Sequence, residues 1–154
     1  STIETLADLR GRSFAFGDSN STIGRYLVQS EMVREGILAG DLSAFEYLGR
    51  HDLVARAVEL GDFDAGSVKE STFHKLNTQG TLKIVASFEN VTKPWLVRSG
   101  LDAATFKALQ LTLLATDDEA ALKALGCNAI GEATDKDYAF VREGMQRASQ
   151  FTTR

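Results

Sequence analysis

Cysteine occurs once in the 154 residues, at Cys127, and histidine twice, at His51 and His74. A lone thiol excludes an intrachain disulfide, and without CxxC or HxxxH spacing the sequence offers no structural metal site, so no metal or other cofactor is expected. Proline is equally scarce, with Pro94 alone, and no run of proline, glycine and serine reads as a linker. Internal repeats and low-complexity segments are absent from the sequence. No apolar run reaches the ~18 residues that a membrane-spanning helix needs, and no basic-then-apolar opening reads as a signal peptide. The abrupt start Ser-Thr-Ile-Glu suits a piece excised from a longer chain. Charge of one sign is also scarce: a net charge of −4 exerts no general pull on nucleic acid or an anionic membrane. No nucleic-acid partner is expected, and any anion site must be local.

What is present is enough for one ordinary domain, long enough to bury about two-thirds of its unfolded surface. The most informative stretch runs from Phe14 to Gly24. Phe14, Ala15 and Phe16 read as a short buried strand that Gly17 and Asp18 end. Asp18, Ser19, Asn20, Ser21 and Thr22 are all helix-capping types, and Ile23, Leu27, Ser30, Val33 and Ile37 then recur at helical spacing, so a helix begins about Ser21 or Thr22. A strand that turns directly into a helix leaves backbone N–H groups unpaired at the positive end of the helix dipole, which is where anions bind. Ser21 and Thr22 would add hydroxyls, and Gly24 leaves room for close approach. Ordinary capping accounts for one of these residues but not for the cluster.

The same grammar repeats. Phe45, Tyr47 and Leu48 make a second strand closed by Gly49; Arg50, His51 and Asp52 open a helix with Leu53, Val54, Ala57, Val58 and Leu60 on its apolar face, ended by Gly61. Phe63, Ala65, Ser67 and Val68 read as a third strand, and Lys69-Glu70-Ser71-Thr72 starts a helix running to about Asn77. Three strand-to-helix units in a row imply a parallel sheet flanked by helices. In such sheets ligands bind outside the carboxyl ends of the strands, here Asp18 to Thr22, Arg50 to Asp52 and Lys69 to Ser71. Leu82, Ile84, Val85 and Ala86 suggest a fourth strand, and Pro94 to Arg98 an extended segment. Helices follow, begun by Asp102, by Asp117-Asp118-Glu119 and by Thr134-Asp135-Lys136-Asp137, the last with Tyr138, Val141, Met145 and Ala148 on one face. Strand–helix alternation gives way to helices near Ser87 to Lys93.

Asp8 to Thr22, then Gly49-Arg-His-Asp52 with Ala55 and Val58, then Gly61-Asp-Phe-Asp-Ala65, and later Ile84-Val-Ala-Ser-Phe and Pro94-Trp-Leu-Val-Arg, resemble the phosphate/phosphonate-type periplasmic solute-binding proteins of ABC transporters. The resemblance covers residues 8 to 115. It implies an α/β fold, one lobe of a type II periplasmic-binding-protein clamp, with a mostly parallel sheet flanked by helices and a helical C-terminal tail. Residues 1–90 would form the second, ligand-binding lobe and residues 91–154 the return segment and C-terminal helices. It implies no enzymatic activity, a periplasmic or extracytoplasmic location, a small phosphorus oxyanion (phosphonate, phosphite or phosphate) as ligand, and an ABC transporter permease as partner.

Carried over residue by residue, the resemblance places Ser21 and Thr22 on the oxygens with their helix amides, beside Asn20 and Ile23. His51 becomes a further donor, and Glu70 an acid meeting a protonated oxygen or an amine. Two departures stand out: Ile23 replaces a second serine, and Lys93 sits near where aminophosphonate binders place an aspartate. The same resemblance leaves open a sensor domain of a histidine kinase, and the apolar crossing segment around Trp95 and the Phe106 helix suggests a homodimer. Other classes fit less well. A P-loop needs a lysine that Gly17 to Gly24 lacks. A receiver-like signalling domain needs paired acids after the first strand, where Asp18 stands alone. An enzyme with His51 as base and Asp52 or Glu70 as its orienter has no nucleophile placed by a motif.

Overall fold

The computed structural model describes residues 2–90 and 93–152. The chain divides into two compact units, one of Ser1–Asn90 with Ala139–Arg154 and one of Val91–Tyr138. The shift from strand–helix alternation to helices, read near Ser87 to Lys93, spans positions 91 and 92, which lie outside the described residues.

In the first unit β1 (Ser13–Phe16), β2 (Ala44–Tyr47) and β3 (Ala65–Gly66) form a parallel sheet in the order β2-β1-β3, three strands among the described residues. Each strand leads into a helix: α1 (Leu27–Arg34), α2 (His51–Leu60) and α3 (Glu70–Leu76). The central strand is buried on both faces. Phe14 and Phe16 share one face and join Val28 and Met32 of α1 in the core. Ala15 points to the other, the side on which Val54 of α2 covers Gly66, its partner across the ladder. Phe16 stacks on Tyr47 at 5.2 Å and meets Phe45 and Phe151 edge-on.

The last helix, α6 in chain order (Ala139–Ala148), belongs to this unit and packs on α1. Gly144 lies against Ser30 and Leu27, and Arg147 Nη1 donates to Ser30 Oγ at 2.9 Å. Its buried residues are Gly144 and Ala148, whereas Met145, expected on the inner face, is exposed.

Three more sequence expectations are corrected. The fourth strand is absent: residues 82–86 pair with no strand among the described residues. The Asn77 side chain instead brackets Leu82, accepting from its N–H at 2.9 Å and donating to its carbonyl at 2.8 Å, while Val85 packs on the core. A β-prone run needs a neighbouring edge to become a strand, and here a side chain supplies the hydrogen bonds first. The third strand is shorter than Phe63 to Val68, and Leu60, placed on the apolar face of α2, is 77% exposed.

In the second unit α4 (Ala103–Leu114) is capped by Asp102, and α5 (Glu119–Leu125) by Asp118, which accepts from the amides of Ala120 and Ala121 at 2.8 and 2.9 Å. Ahead of α4, Trp95, Leu96 and Val97 are exposed. No helix among the described residues is long and apolar enough to cross a membrane.

Candidate functional site

The head of α1 is wider than an ordinary helix start. Ser21 takes an extended N-cap conformation and its Oγ accepts from the Gly24 amide at 2.9 Å. Thr22–Tyr26 then form a π turn: the Tyr26 amide reaches the Ser21 carbonyl at 3.2 Å, a residue further than an α-helix would require. Single π turns of this kind recur at functional sites. The amides of Thr22 and Ile23, at the head of the turn, have no carbonyl one turn behind them. Ser21, Thr22 and Ile23 are half-buried and Asn20 is exposed.

Close approach fixes this turn against the sheet. A Cβ on Gly24 would lie 2.9 Å from the Gly17 Cα, closer than real side chains come, and the two glycines are joined by a 2.8 Å bond from Gly17 N–H to the Gly24 carbonyl. The loops after the other strands are tied to the same spot. Gly49 N–H donates to the Gly17 carbonyl at 3.2 Å, and Ser67 Oγ donates to the Gly24 carbonyl at 2.7 Å. The three strand ends therefore converge on the Ser21 turn through Gly49, two residues before His51, and Ser67, two residues before Lys69.

His51 is the first residue of α2. Its Nδ1 is buried with no hydrogen-bond partner among the described residues, a costly arrangement for a polar atom that no ligand meets. Burial first, and the Lys69 charge second, hold its imidazole below its ordinary value; the Ser67 backbone and Asp52 pull the other way. Glu70 is not drawn toward these donors. Its side chain is 85% exposed and faces His74 Nε2 at 3.5 Å one turn along α3.

Arg25 was not marked by the sequence, and Lys69 was marked only as part of the third strand end. Arg25 donates from Nη1 to the Ser19 carbonyl at 2.6 Å and from Nε to Gln29, and its guanidinium lies over the rings of Tyr26 and Tyr47. The fully buried Gln29 passes the link to the Tyr47 hydroxyl at 2.8 Å. The arginine thereby clamps the loop ahead of Ser21. Lys69, the N-cap of α3, is half-buried and has no ion-pair partner among the described residues. A basic residue inside a capping cluster gives no pattern that sequence alone separates from a solvated charge.

This parallel sheet flanked by helices, with three loops gathered at the carboxyl ends of its strands, is the α/β architecture of a periplasmic binding protein. Similar solved structures include a Xanthomonas citri protein bound to ATP, 24% identical with a TM-score of 0.74 over 99% of this chain and 64% of that one. PhnD1 from Prochlorococcus marinus (MIT 9301) in complex with methylphosphonate is 21% identical, TM-score 0.80, over 97% of this chain and 61% of that one. The binding protein component of an ABC phosphonate transporter from Pseudomonas aeruginosa is 18% identical, TM-score 0.68, covering 97% and 55%. The chain spans less than two-thirds of each of these structures. Residues 1–138 match the family described as "ABC transporter, phosphonate, periplasmic substrate-binding protein", and the chain belongs to it. That family comprises extracytoplasmic transport proteins that bind substrate, not enzymes.

Proposed function

We propose that this chain is the second lobe and carboxyl-terminal part of a solute-binding protein that captures a small phosphorus oxyanion, whether phosphonate, phosphite or phosphate, for delivery to an ABC transporter permease. Residues 1–90 supply the binding lobe and residues 91–154 the return segment and C-terminal helices. Ser21 and Thr22, with the amides at the head of the π turn, hold the ligand oxygens, flanked by Asn20 and Ile23, and His51 adds a third donor. Glu70 stands at the rim. The observation that carries the reading is the buried Nδ1 of His51, without a hydrogen-bond partner among the described residues, at the edge where the Ser21 turn is pinned. Charge-assisted hydrogen bonds to a desolvated anion are strong enough for capture without a metal. No observation favours a histidine-kinase sensor or a pair of copies joined through Trp95.

The test is a thermal-shift panel of phosphate, phosphite, methylphosphonate, 2-aminoethylphosphonate and sulfate on the full-length protein and its Ser21→Ala/Thr22→Ala variant. A ligand at about a hundredfold over its dissociation constant adds ~2.7 kcal/mol of stability. A shift with a phosphorus oxyanion that disappears in the double variant is expected. A shift that survives it would remove the Ser21 turn from the site, and no shift with any of the phosphorus oxyanions would overturn the ligand class.

A further inference from the structure

The charges at the three strand ends are distributed unevenly. Each carboxylate there is already engaged: Asp18 Oδ1 accepts from the Asn20 amide at 2.7 Å, Asp52 takes two bonds from Arg50 at 3.0 and 2.6 Å, and Glu70 faces His74. The cations differ. Arg50 is spent on Asp52 and Arg25 on Ser19 and Gln29, whereas Lys69 is half-buried with no ion-pair partner among the described residues. It lies two residues beyond Ser67, whose hydroxyl is bonded to the Ser21 turn at Gly24. Its charge also acts on His51 across the same edge. The edge thus carries a cation without an ion-pair partner among the described residues, while each of its carboxylates already has a contact of its own.

We propose that Lys69 is the charge-selecting residue of this site, favouring a phosphorus oxyanion with a fully deprotonated head and no ammonium substituent. The inference rests on the proposed oxyanion site and sharpens its ligand class. A dianion held at this edge gains Lys69 as a counter-ion, while an alkylammonium two carbons from phosphorus meets a like charge there.

Isothermal titration of the full-length protein with methylphosphonate and 2-aminoethylphosphonate tests it, using wild type, Lys69→Gln and Lys69→Arg. Wild type is expected to prefer methylphosphonate by about tenfold or more, a difference of ~1.4 kcal/mol. Lys69→Gln should reduce that preference to about twofold or less, and Lys69→Arg should keep it, because the charge remains. Preference for the amine in wild type, or a preference unchanged in Lys69→Gln, would overturn the role of Lys69 while leaving the oxyanion site standing. Failure of the wild type to bind either compound would overturn both.

Discussion

Substituting Gly24 by alanine tests whether the turn is held by close approach. At an ordinary helical position the change from glycine stabilises by about 0.5–1 kcal/mol. At Gly24 the new Cβ would sit 2.9 Å from the Gly17 Cα, 3.1 Å from Ser21 Oγ and 3.3 Å from the Gly17 nitrogen. Two of these contacts are backbone, which cannot rotate away. Overpacking of this kind costs about 1–3 kcal/mol. Moving Gly24 also weakens the bonds that its carbonyl accepts from Gly17 and Ser67, adding about 1 kcal/mol. The clash exceeds the helical gain, and Gly24→Ala should lose about 2 kcal/mol net. Gly144→Ala is the matched control, because its Cβ would meet Ser30 and Leu27 at 3.7 Å or more, ordinary contact. It should gain about 0.5–1 kcal/mol. Urea unfolding reads both. With a slope of ~2 kcal/mol/M, the Gly24→Ala midpoint should fall by about 1 M while that of Gly144→Ala rises. Equal midpoints for the two variants, or a Gly24→Ala midpoint at the wild-type value, would refute the reasoning.

Two further outcomes concern pH. Asp64 accepts from the Ser13 amide and hydroxyl at 2.8 and 2.9 Å, which lower its carboxyl, with Arg12 adding to the effect. A lowered folded value gives stability that is present above the ordinary ~3.9 and lost as the pH falls through the folded value. Stability against pH should therefore drop more steeply on the acid side in wild type than in Asp64→Asn, and parallel curves would count against the contact. His51 is also lowered, chiefly by burial, so the unfolded chain takes up its proton first. Stability should be full above the ordinary ~6.5 and fall as acid approaches the folded value, a slope that His51→Gln should flatten. An NMR titration of the His51 ring at or above the ordinary value would contradict its burial.

The strand–turn–helix grammar was legible because its punctuation is chemical and local. Asp102 and Asp118 cap helices as their residue types imply, Gly61 and Gly126 end α2 and α5 in the left-handed region, and Ser21 caps the first helix. That the strands run parallel followed from strand–helix alternation, whereas their order β2-β1-β3 did not. What lay beyond the sequence depends on which of several nearby partners a group takes. Residues 82–86 have a strand's composition, yet Asn77 satisfies Leu82 and no strand edge is offered. The π turn needs the Tyr26 amide to choose the Ser21 carbonyl, which no residue spacing announces. At the site Ser21, Thr22 and His51 were marked by type and position, and the structure gathers their loops through Gly17, Gly24, Gly49 and Ser67. Glu70 looked equally well placed, but helical spacing also aligned it with His74, which it faces at 3.5 Å while 85% exposed.

The central claim is that the Ser21 turn and His51 together hold a phosphorus oxyanion. A crystal structure of the full-length protein with methylphosphonate tests it most directly. Phosphonate oxygens are expected about 2.6–3.1 Å from Ser21 Oγ, Thr22 Oγ1 and the head amides of the π turn, with the His51 ring donating to one of them. Methylphosphonate bound away from the carboxyl ends of β1, β2 and β3, with Ser21 and His51 making no contact to it, would contradict the account.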